Sequence, residues 1–208
     1  HLIQNKALEL SLFLTLPASA ALLIASEEII SALFGYGSFD QVSAINSGKA
    51  LYYFALGLPA FSLIKVFSSF FFANHDTKIP FYISLFSVLT NIVISISYFN
   101  EIGFIIIPIA TTISSWLNAI LLFAFLKNRD LFSFNNIFLV RSVKIIIASL
   151  LMAIFFNFLI TYFEYELAFN QNIKSFYLIL SVILSLLFYL FVSYWIKAFK
   201  TSDIKLKY

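Results

Sequence analysis

The sequence predicts an all-α polytopic membrane protein with six transmembrane helices, and three observations support this fold class. Of 208 residues, 62% are hydrophobic and 11% are charged, whereas a soluble domain carries about 25% charged residues. Apolar stretches longer than about 18 residues recur between short polar breaks. Basic residues gather in alternate breaks, as they do in loops on the cytoplasmic side of a membrane. Water could not solvate a chain of this composition.

Six apolar stretches are each long enough to cross a bilayer, with residue ranges 8–34, 50–72, 81–99, 102–126, 137–162 and 176–199. The first contains Pro17 and the pair Glu27–Glu28, so we expect it to be kinked, with its last turns at the membrane interface. The last two are dense in Ile, Leu and Phe and have few small residues. We therefore expect those two to lie at the periphery, facing acyl chains.

A polar break after the fourth stretch predicts a boundary between two parts of the chain. Residues 127–130 are polar, and residues 131–134 form a mixed apolar segment typical of a linker on the membrane surface. The predicted parts are residues 1–130, with four transmembrane helices, and residues 131–208, with a cytoplasmic linker and two peripheral helices.

The basic residues predict that both termini are cytoplasmic. With a cytoplasmic amino terminus, the other side holds only Lys49 and Lys174, and Lys65 lies within the membrane. The cytoplasmic side then holds Lys6, Lys78, Lys127, Arg129, Arg141, Lys144, Lys197, Lys200, Lys205 and Lys207.

Five polar residues inside the stretches are candidates for a substrate cavity: Lys65, Ser62, Ser69, Asn91 and Asn118. A cation at the centre of a membrane helix costs roughly 2.5–3.5 kcal/mol, which makes Lys65 a functional candidate. Its long side chain can instead reach the nearer headgroups. Serines and asparagines at helical spacing either line a hydrated cavity or join neighbouring helices. The sequence leaves both alternatives open.

The turn after the second stretch holds five gate or hinge candidates: Asn74, Asp76, Thr77, Lys78 and Pro80. Either Asn74 or Asp76 could cap the next helix, with Pro80 in its first turn. A lipid headgroup contact or a cytoplasmic gate would also use such a rigid turn.

Several classes of function are not expected. The chain has no Cys and only two His, so we predict neither a disulfide framework nor a metal site. Its net charge of +3 is small and scattered, which argues against binding nucleic acid. No hydrolytic or nucleotide-binding motif is present, so an enzyme is not expected. Residues 35–37, Gly-Tyr-Gly, lack the Thr-Val that precedes this triplet in potassium channel filters.

Four stretches resemble the MurJ (MviN) family of lipid II flippases. Their order and spacing agree with the family over about residues 5–130. The stretches are LFGYGSF at 33–39, ALGLPA at 55–60 followed by Lys65–Val66, FANHDTKIP at 72–80 (similar to the family's FYARQDTRTP) and WLNA at 116–119. Tyr36 stands where the family often has a basic residue, and His75 replaces a common Gln.

The resemblance implies the carboxyl-terminal portion of a fourteen-helix transporter of the MOP exporter superfamily, in the bacterial cytoplasmic (inner) membrane. Such proteins carry lipid-linked peptidoglycan precursor from the cytoplasmic to the periplasmic leaflet by alternating access. We expect the partners to be the lipid-linked glycan, membrane lipids and the preceding helices of the same protein, without which we do not expect transport. No cofactor is expected, and coupling to an ion or to the membrane potential stays open.

The resemblance also implies that the last two helices form a groove for the lipid tail. Its candidate residues are Phe155, Asn157, Phe158 and Ser185. Two alternatives remain for the function of the chain. It could belong to a flippase for another undecaprenyl-linked polysaccharide precursor, or it could be a membrane scaffold that transports nothing.

Overall fold

Helices account for every regular element in residues 2–198, the part of the chain that the computed structural model describes. Eight are α-helices, and a 3-10 turn, Gly103–Ile105, separates the fourth from the fifth. The all-α prediction is therefore confirmed. The helices are α1 (Leu2–Ile24), α2 (Ser26–Phe34), α3 (Gln41–Ala73), α4 (Lys78–Ile102), α5 (Ile106–Asn128), α6 (Asn136–Tyr162), α7 (Glu164–Leu167) and α8 (Lys174–Trp195).

Within the described residues, five helical segments are long and apolar enough to cross a membrane: Ile3–Ile24, Gln41–Ala73, Lys78–Asn128, Asn136–Tyr162 and Lys174–Trp195. The third, of 51 residues, contains both α4 and α5. This merging explains why five segments are counted where six helices were predicted. The predicted end of the last stretch, Phe199, lies outside the described residues, as do Lys200, Lys205 and Lys207.

Helices α4 and α5 form a hairpin that reverses at Gly103. The Asn91 side chain donates a hydrogen bond of 3.0 Å to the Thr111 hydroxyl, across 20 residues of sequence. In one straight helix these residues would lie about 30 Å apart. Gly103 has a φ of 74°, which glycine adopts without the steric cost that a Cβ would bring.

The break in the first apolar stretch falls at Ala25 rather than at Pro17. Helix α1 continues through Pro17 to Ile24, and Ala25 then has φ −120° and ψ 34°, outside the helical region. Glu27 and Glu28 lie in the first turn of α2, where acidic side chains favour the positive end of the helix dipole.

Helix α3 begins at Gln41, earlier than the predicted residue 50, because Asp40 caps its amino terminus. The Ser43 backbone N–H donates to Asp40 Oδ1 at 2.8 Å. The hydrogen bonds from Ser43 hold the pKa of the Asp40 carboxyl below its ordinary value. Hydropathy missed this first part of α3 because residues 41–49 are largely polar.

The chain divides into two compact units, of which the first contains His1–Thr15 and Lys49–Asn135, and the second contains Leu16–Gly48 and Asn136–Tyr208. The boundary predicted after residue 130 lies close to the division at Asn135. The grouping of residues 16–48 with the later part of the chain was not predicted.

In the first unit, α3 and α5 approach closely at Gly57. The Thr112 hydroxyl of α5 donates to the Tyr53 carbonyl at 2.6 Å, and the Trp116 indole donates to the Leu56 carbonyl at 3.0 Å. A Cβ on Gly57 would lie 2.9 Å from Thr112 Oγ1. Two of the stretches that suggested the family resemblance therefore contact each other here.

Residues 131–135, which the sequence predicts to be a linker, contact the first unit through one buried side chain and two backbone carbonyls. Phe132 is buried and stacks on Phe70, with ring centroids 5.9 Å apart. The Asn5 side chain donates to the Ser133 carbonyl at 3.0 Å, and that of Gln4 donates to the Leu131 carbonyl at 3.2 Å. These backbone groups thus find partners inside the protein.

In the second unit, α6 packs against α8, and both helices bury small side chains as well as large ones. Ala148 and Ser149 of α6 are buried, as are Ser181 and Ser185 of α8. The Ser181 hydroxyl donates back to the Tyr177 carbonyl at 2.8 Å, which satisfies the serine without a partner from α6.

We predict that Gly57→Ala lowers the free energy of unfolding by about 1 kcal/mol, because the new methyl group displaces the Thr112 hydroxyl from the Tyr53 carbonyl. Elsewhere in a helix the same change stabilises by roughly 0.5–1 kcal/mol. Thermal unfolding in detergent measures the difference. In a Thr112→Ala background, Gly57→Ala should become neutral or stabilising. A Gly57→Ala variant that is stabilised with Thr112 in place would contradict this packing.

Candidate functional site

The three candidates on α3 have different surroundings. The Ser62 hydroxyl lies 2.6 Å from the Ser11 hydroxyl of α1, and the Ser69 hydroxyl donates to the Val66 carbonyl of its own helix at 2.7 Å. Lys65 is exposed, and its ammonium has no hydrogen bond or ion pair with any residue from 2 to 198. It is therefore free to meet an anionic group from outside the described residues.

The two asparagine candidates join α4 to α5. Asn91 donates to the Thr111 hydroxyl at 3.0 Å, and Asn118 donates to the Ser84 hydroxyl at 3.5 Å. Together with Ser62, they make hydrogen bonds between helices of the first unit. The structure therefore does not gather the five predicted residues into one site, and Lys65 and Ser69 are the two that stay exposed.

Hydrogen bonds to the Asp76 carboxylate stabilise the turn between α3 and α4. Its Oδ1 accepts hydrogen bonds from the backbone N–H groups of Lys78 at 3.1 Å and Ile79 at 3.3 Å, so Asp76 caps α4. Its Oδ2 accepts a hydrogen bond of 2.7 Å from Arg129, just after α5. Arg129 was not among the predicted site residues.

The other turn candidates are less constrained. Asn74 does not cap α4, because its side chain donates to the Phe70 carbonyl at the end of α3, at 2.8 Å. Pro80 is buried in the first turn of α4, while Thr77 and Lys78 are exposed. A cavity of about 600 Å³ opens at this turn and is lined by residues of α3 and α4, including Lys78.

The lipid-groove candidates of the second unit divide into buried and exposed residues. Phe155 of α6 stacks on Phe188 of α8, with ring centroids 4.6 Å apart. Ser185 is 2% exposed, and its hydroxyl donates to the Ser181 carbonyl of its own helix at 2.7 Å. Asn157 and Phe158 are exposed on α6.

The sequence predicted for Lys174 only that it is a charged residue in a loop. In the second unit its side chain is buried, with 1% of the residue exposed. Its ammonium donates to the Gly35 carbonyl at 2.7 Å and to the Phe169 carbonyl at 2.6 Å. It also lies 4.6 Å from the centroid of the Tyr36 ring and 4.5 Å from that of Phe169. The carbonyl end of α2 and two aromatic faces replace the water that a buried ammonium loses.

Neighbouring hydroxyls complete the connection between α2 and α8. The Tyr36 hydroxyl lies 2.6 Å from the Ser175 hydroxyl, and Ser175 donates to the Ala32 carbonyl. No periodicity in the sequence could reveal this arrangement, since Lys174 and Gly35 are 139 residues apart.

We predict that Lys174→Met lowers the free energy of unfolding by about 2 kcal/mol, because two carbonyl groups lose their donor. Thermal unfolding in detergent measures the change, with Lys49→Met, at an exposed position, as the matched control. Equal effects of the two substitutions would contradict the arrangement around Lys174.

Known proteins that resemble this chain include members of a transporter family. The sequence model of the family described as lipid II flippase MurJ matches residues 1–183. A probable lipid II flippase MurJ of Rhizobium meliloti (strain 1021) is 40% identical over 151 residues, which cover 73% of this chain and 28% of the relative. The corresponding protein of Rickettsia prowazekii (strain Madrid E) is 37% identical over 123 residues, 59% of this chain and 24% of the relative.

A solved structure agrees with the sequence comparison. A lipid II flippase MurJ in an inward closed conformation superposes with a TM-score of 0.75 at 26% identity, covering 91% of this chain and 37% of that chain. The chain thus spans about a quarter of the length of the curated relatives named above. A flippase is a transporter, in agreement with the expectation that the chain is not an enzyme. The family and the helices of spanning length make it a bacterial inner-membrane protein. The chain belongs to the lipid II flippase MurJ family.

Proposed function

We propose that this chain is part of a transporter that moves lipid II, the lipid-linked peptidoglycan precursor, from the cytoplasmic to the periplasmic leaflet. The observation that carries the proposal is the family match over residues 1–183. The superposition with a solved flippase over 91% of the chain supports it. The substrate partner is lipid II, and the work is shared with helices of the same protein beyond this chain.

The chemistry of the substrate explains why Lys65 matters to this proposal. A charged headgroup cannot cross hydrocarbon unaided, so the carrier must offer cations and hydrogen bonds in place of water. Lys65 is an exposed cation without a partner among residues 2–198, on a helix of spanning length. Ser69, one turn along the same helix, is exposed as well. We assign these two residues to the substrate path, and Ser62, Asn91 and Asn118 to helix packing.

The distribution of basic residues supports a cytoplasmic location for both termini. Of the ten on the proposed cytoplasmic side, Lys6, Lys78 and Lys197 are among the seven that the structure describes. We further propose that the lipid tail contacts the exposed Phe158 and Asn157 of α6. We propose that transport needs no cofactor, and coupling to an ion or to the membrane potential stays open.

We predict that Lys65→Ala abolishes function at normal protein level, because the exposed cation is lost. The full-length gene is introduced into a strain depleted of its own lipid II flippase, and growth is measured. Lys65→Arg should retain function, and so should Lys49→Ala, which removes an exposed lysine elsewhere on α3.

Three outcomes would contradict the account. Failure of the wild-type gene to support growth, with rescue of O-antigen export instead, would indicate a flippase for another undecaprenyl-linked glycan. If the wild-type gene restores neither growth nor O-antigen export, the alternative of a membrane scaffold that transports nothing would remain. Normal growth with Lys65→Ala would remove Lys65 from the substrate path while leaving the transport function intact.

A further inference from the structure

Three side chains that carry hydrogen-bond donors without a partner line the cavity at the α3–α4 turn. The cavity has a volume of about 600 Å³, and its lining residues belong to the first unit. The donors are the Lys78 ammonium and the hydroxyls of Ser68 and Thr77. None of these three side chains has a hydrogen bond or an ion pair within residues 2–198. Ammonium and hydroxyl donors around one cavity favour an occupant with an anionic oxygen.

Among the described residues, no carboxylate lines this cavity to compensate the charge of Lys78. The neighbouring carboxylate of Asp76 is already occupied, because its Oδ1 accepts two backbone N–H groups and its Oδ2 is paired with Arg129 at 2.7 Å. A zwitterionic headgroup such as phosphatidylethanolamine would bring an ammonium group for which the cavity offers no opposite charge. The cavity therefore favours a headgroup with a net negative charge.

The cavity lies where two segments of membrane-spanning length meet. The segment Gln41–Ala73 ends just before the turn, and the segment Lys78–Asn128 begins just after it. The ends of such segments lie at the level of the lipid headgroups, where lysine and aromatic side chains are enriched. A lysine at this level attracts anionic lipids with about 1 kcal/mol of electrostatic free energy. The Lys78 ammonium is therefore at a suitable depth to meet a lipid phosphate.

Exposed aromatic rings form the apolar part of the cavity. Phe72 of α3 is 52% exposed, and Phe81 and Tyr82 of α4 are 62% and 65% exposed. All three line the same cavity as Lys78. A free inorganic phosphate would use the lysine and leave these rings uncovered, whereas a phosphate that carries acyl chains can contact both. The combination of one cation, free hydroxyl groups and exposed rings is therefore suited to a phospholipid.

We propose that this cavity binds the headgroup of an anionic phospholipid of the surrounding membrane, of the phosphatidylglycerol type. Lys78 and Thr77 contact its phosphate, and Phe72 and Phe81 contact its acyl chains. The bound lipid would attach the α3–α4 turn to one leaflet of the membrane. The proposal requires that the chain lies in a membrane, and it does not depend on the proposed transport function or on its substrate.

Photo-crosslinking of the purified full-length protein in phosphatidylcholine nanodiscs tests the proposal. A photoactivatable phosphatidylglycerol analogue is added at rising mole fractions, and mass spectrometry quantifies the labelling of peptides from residues 68–84. Labelling should saturate in the wild type. Lys78→Gln should raise the half-saturating mole fraction about tenfold, as expected on losing one charged hydrogen bond. Lys78→Arg should keep the wild-type value, and so should the matched control Lys127→Gln, which removes an exposed charge outside the cavity.

Four results would overturn the assignment. Equal labelling by a phosphatidylethanolamine analogue would mean that the cavity does not select an anion. Equal shifts for Lys78→Gln and Lys127→Gln would mean a general effect of surface charge. Displacement of the analogue by inorganic phosphate alone would mean a site for a free anion. Displacement by lipid II at a lower mole fraction than by unlabelled phosphatidylglycerol would assign the cavity to the transported lipid.

The fold of each variant is checked by thermal unfolding. We expect Lys78→Gln to unfold at the wild-type temperature, because Lys78 is exposed and its side chain has no partner within residues 2–198. If that variant does not fold, Thr77→Val removes a neighbouring exposed hydroxyl instead, with an expected rise in the half-saturating mole fraction of about threefold. No rise with Thr77→Val would then refute the site.

Discussion

A polar side chain inside a helix of membrane-spanning length is stabilised by a partner within the protein, because hydrocarbon offers none. In the first unit this constraint determines which helix faces meet. Ser11 meets Ser62, Asn91 meets Thr111, and Thr112 meets the Tyr53 carbonyl. Each such bond is worth on average only about 0.6 kcal/mol. Leaving the same groups unpaired would cost more, so the bonds select one packing.

The same constraint explains the buried lysine of the second unit. The last carbonyl groups of α2 have no donor within the helix, and the first residues of α8 supply them from Lys174 and Ser175. In the first unit, Arg129 and Asp76 fasten a turn in a similar way, at an exposed position where the ion pair contributes less to stability. Both connections join helix ends, where the regular backbone pattern stops.

Hydropathy predicted the all-α class and the central part of each long helix, because burial in lipid needs apolar length. It failed at helix ends. The polar first turns of α3 depend on the Asp40 cap. The break at Ala25 contains no proline or glycine from which it could be predicted. The burial of Lys174 depends on residues 139 positions away. For the site, helical spacing predicted polar faces on the helices. It could not predict which of these faces contact another helix, as the face that carries Asn118 does.

The central claim, that the polar faces of these helices pair with each other, can be tested with disulfides. The 208 residues contain no Cys, so introduced pairs are unambiguous within them. Mild oxidation of the full-length protein should link Ser11→Cys to Ser62→Cys, whose hydroxyls lie 2.6 Å apart. Ser11→Cys with Ser69→Cys, about 10 Å further along α3, should stay reduced. Absence of the first link, or equal rates for both pairs, would contradict the account.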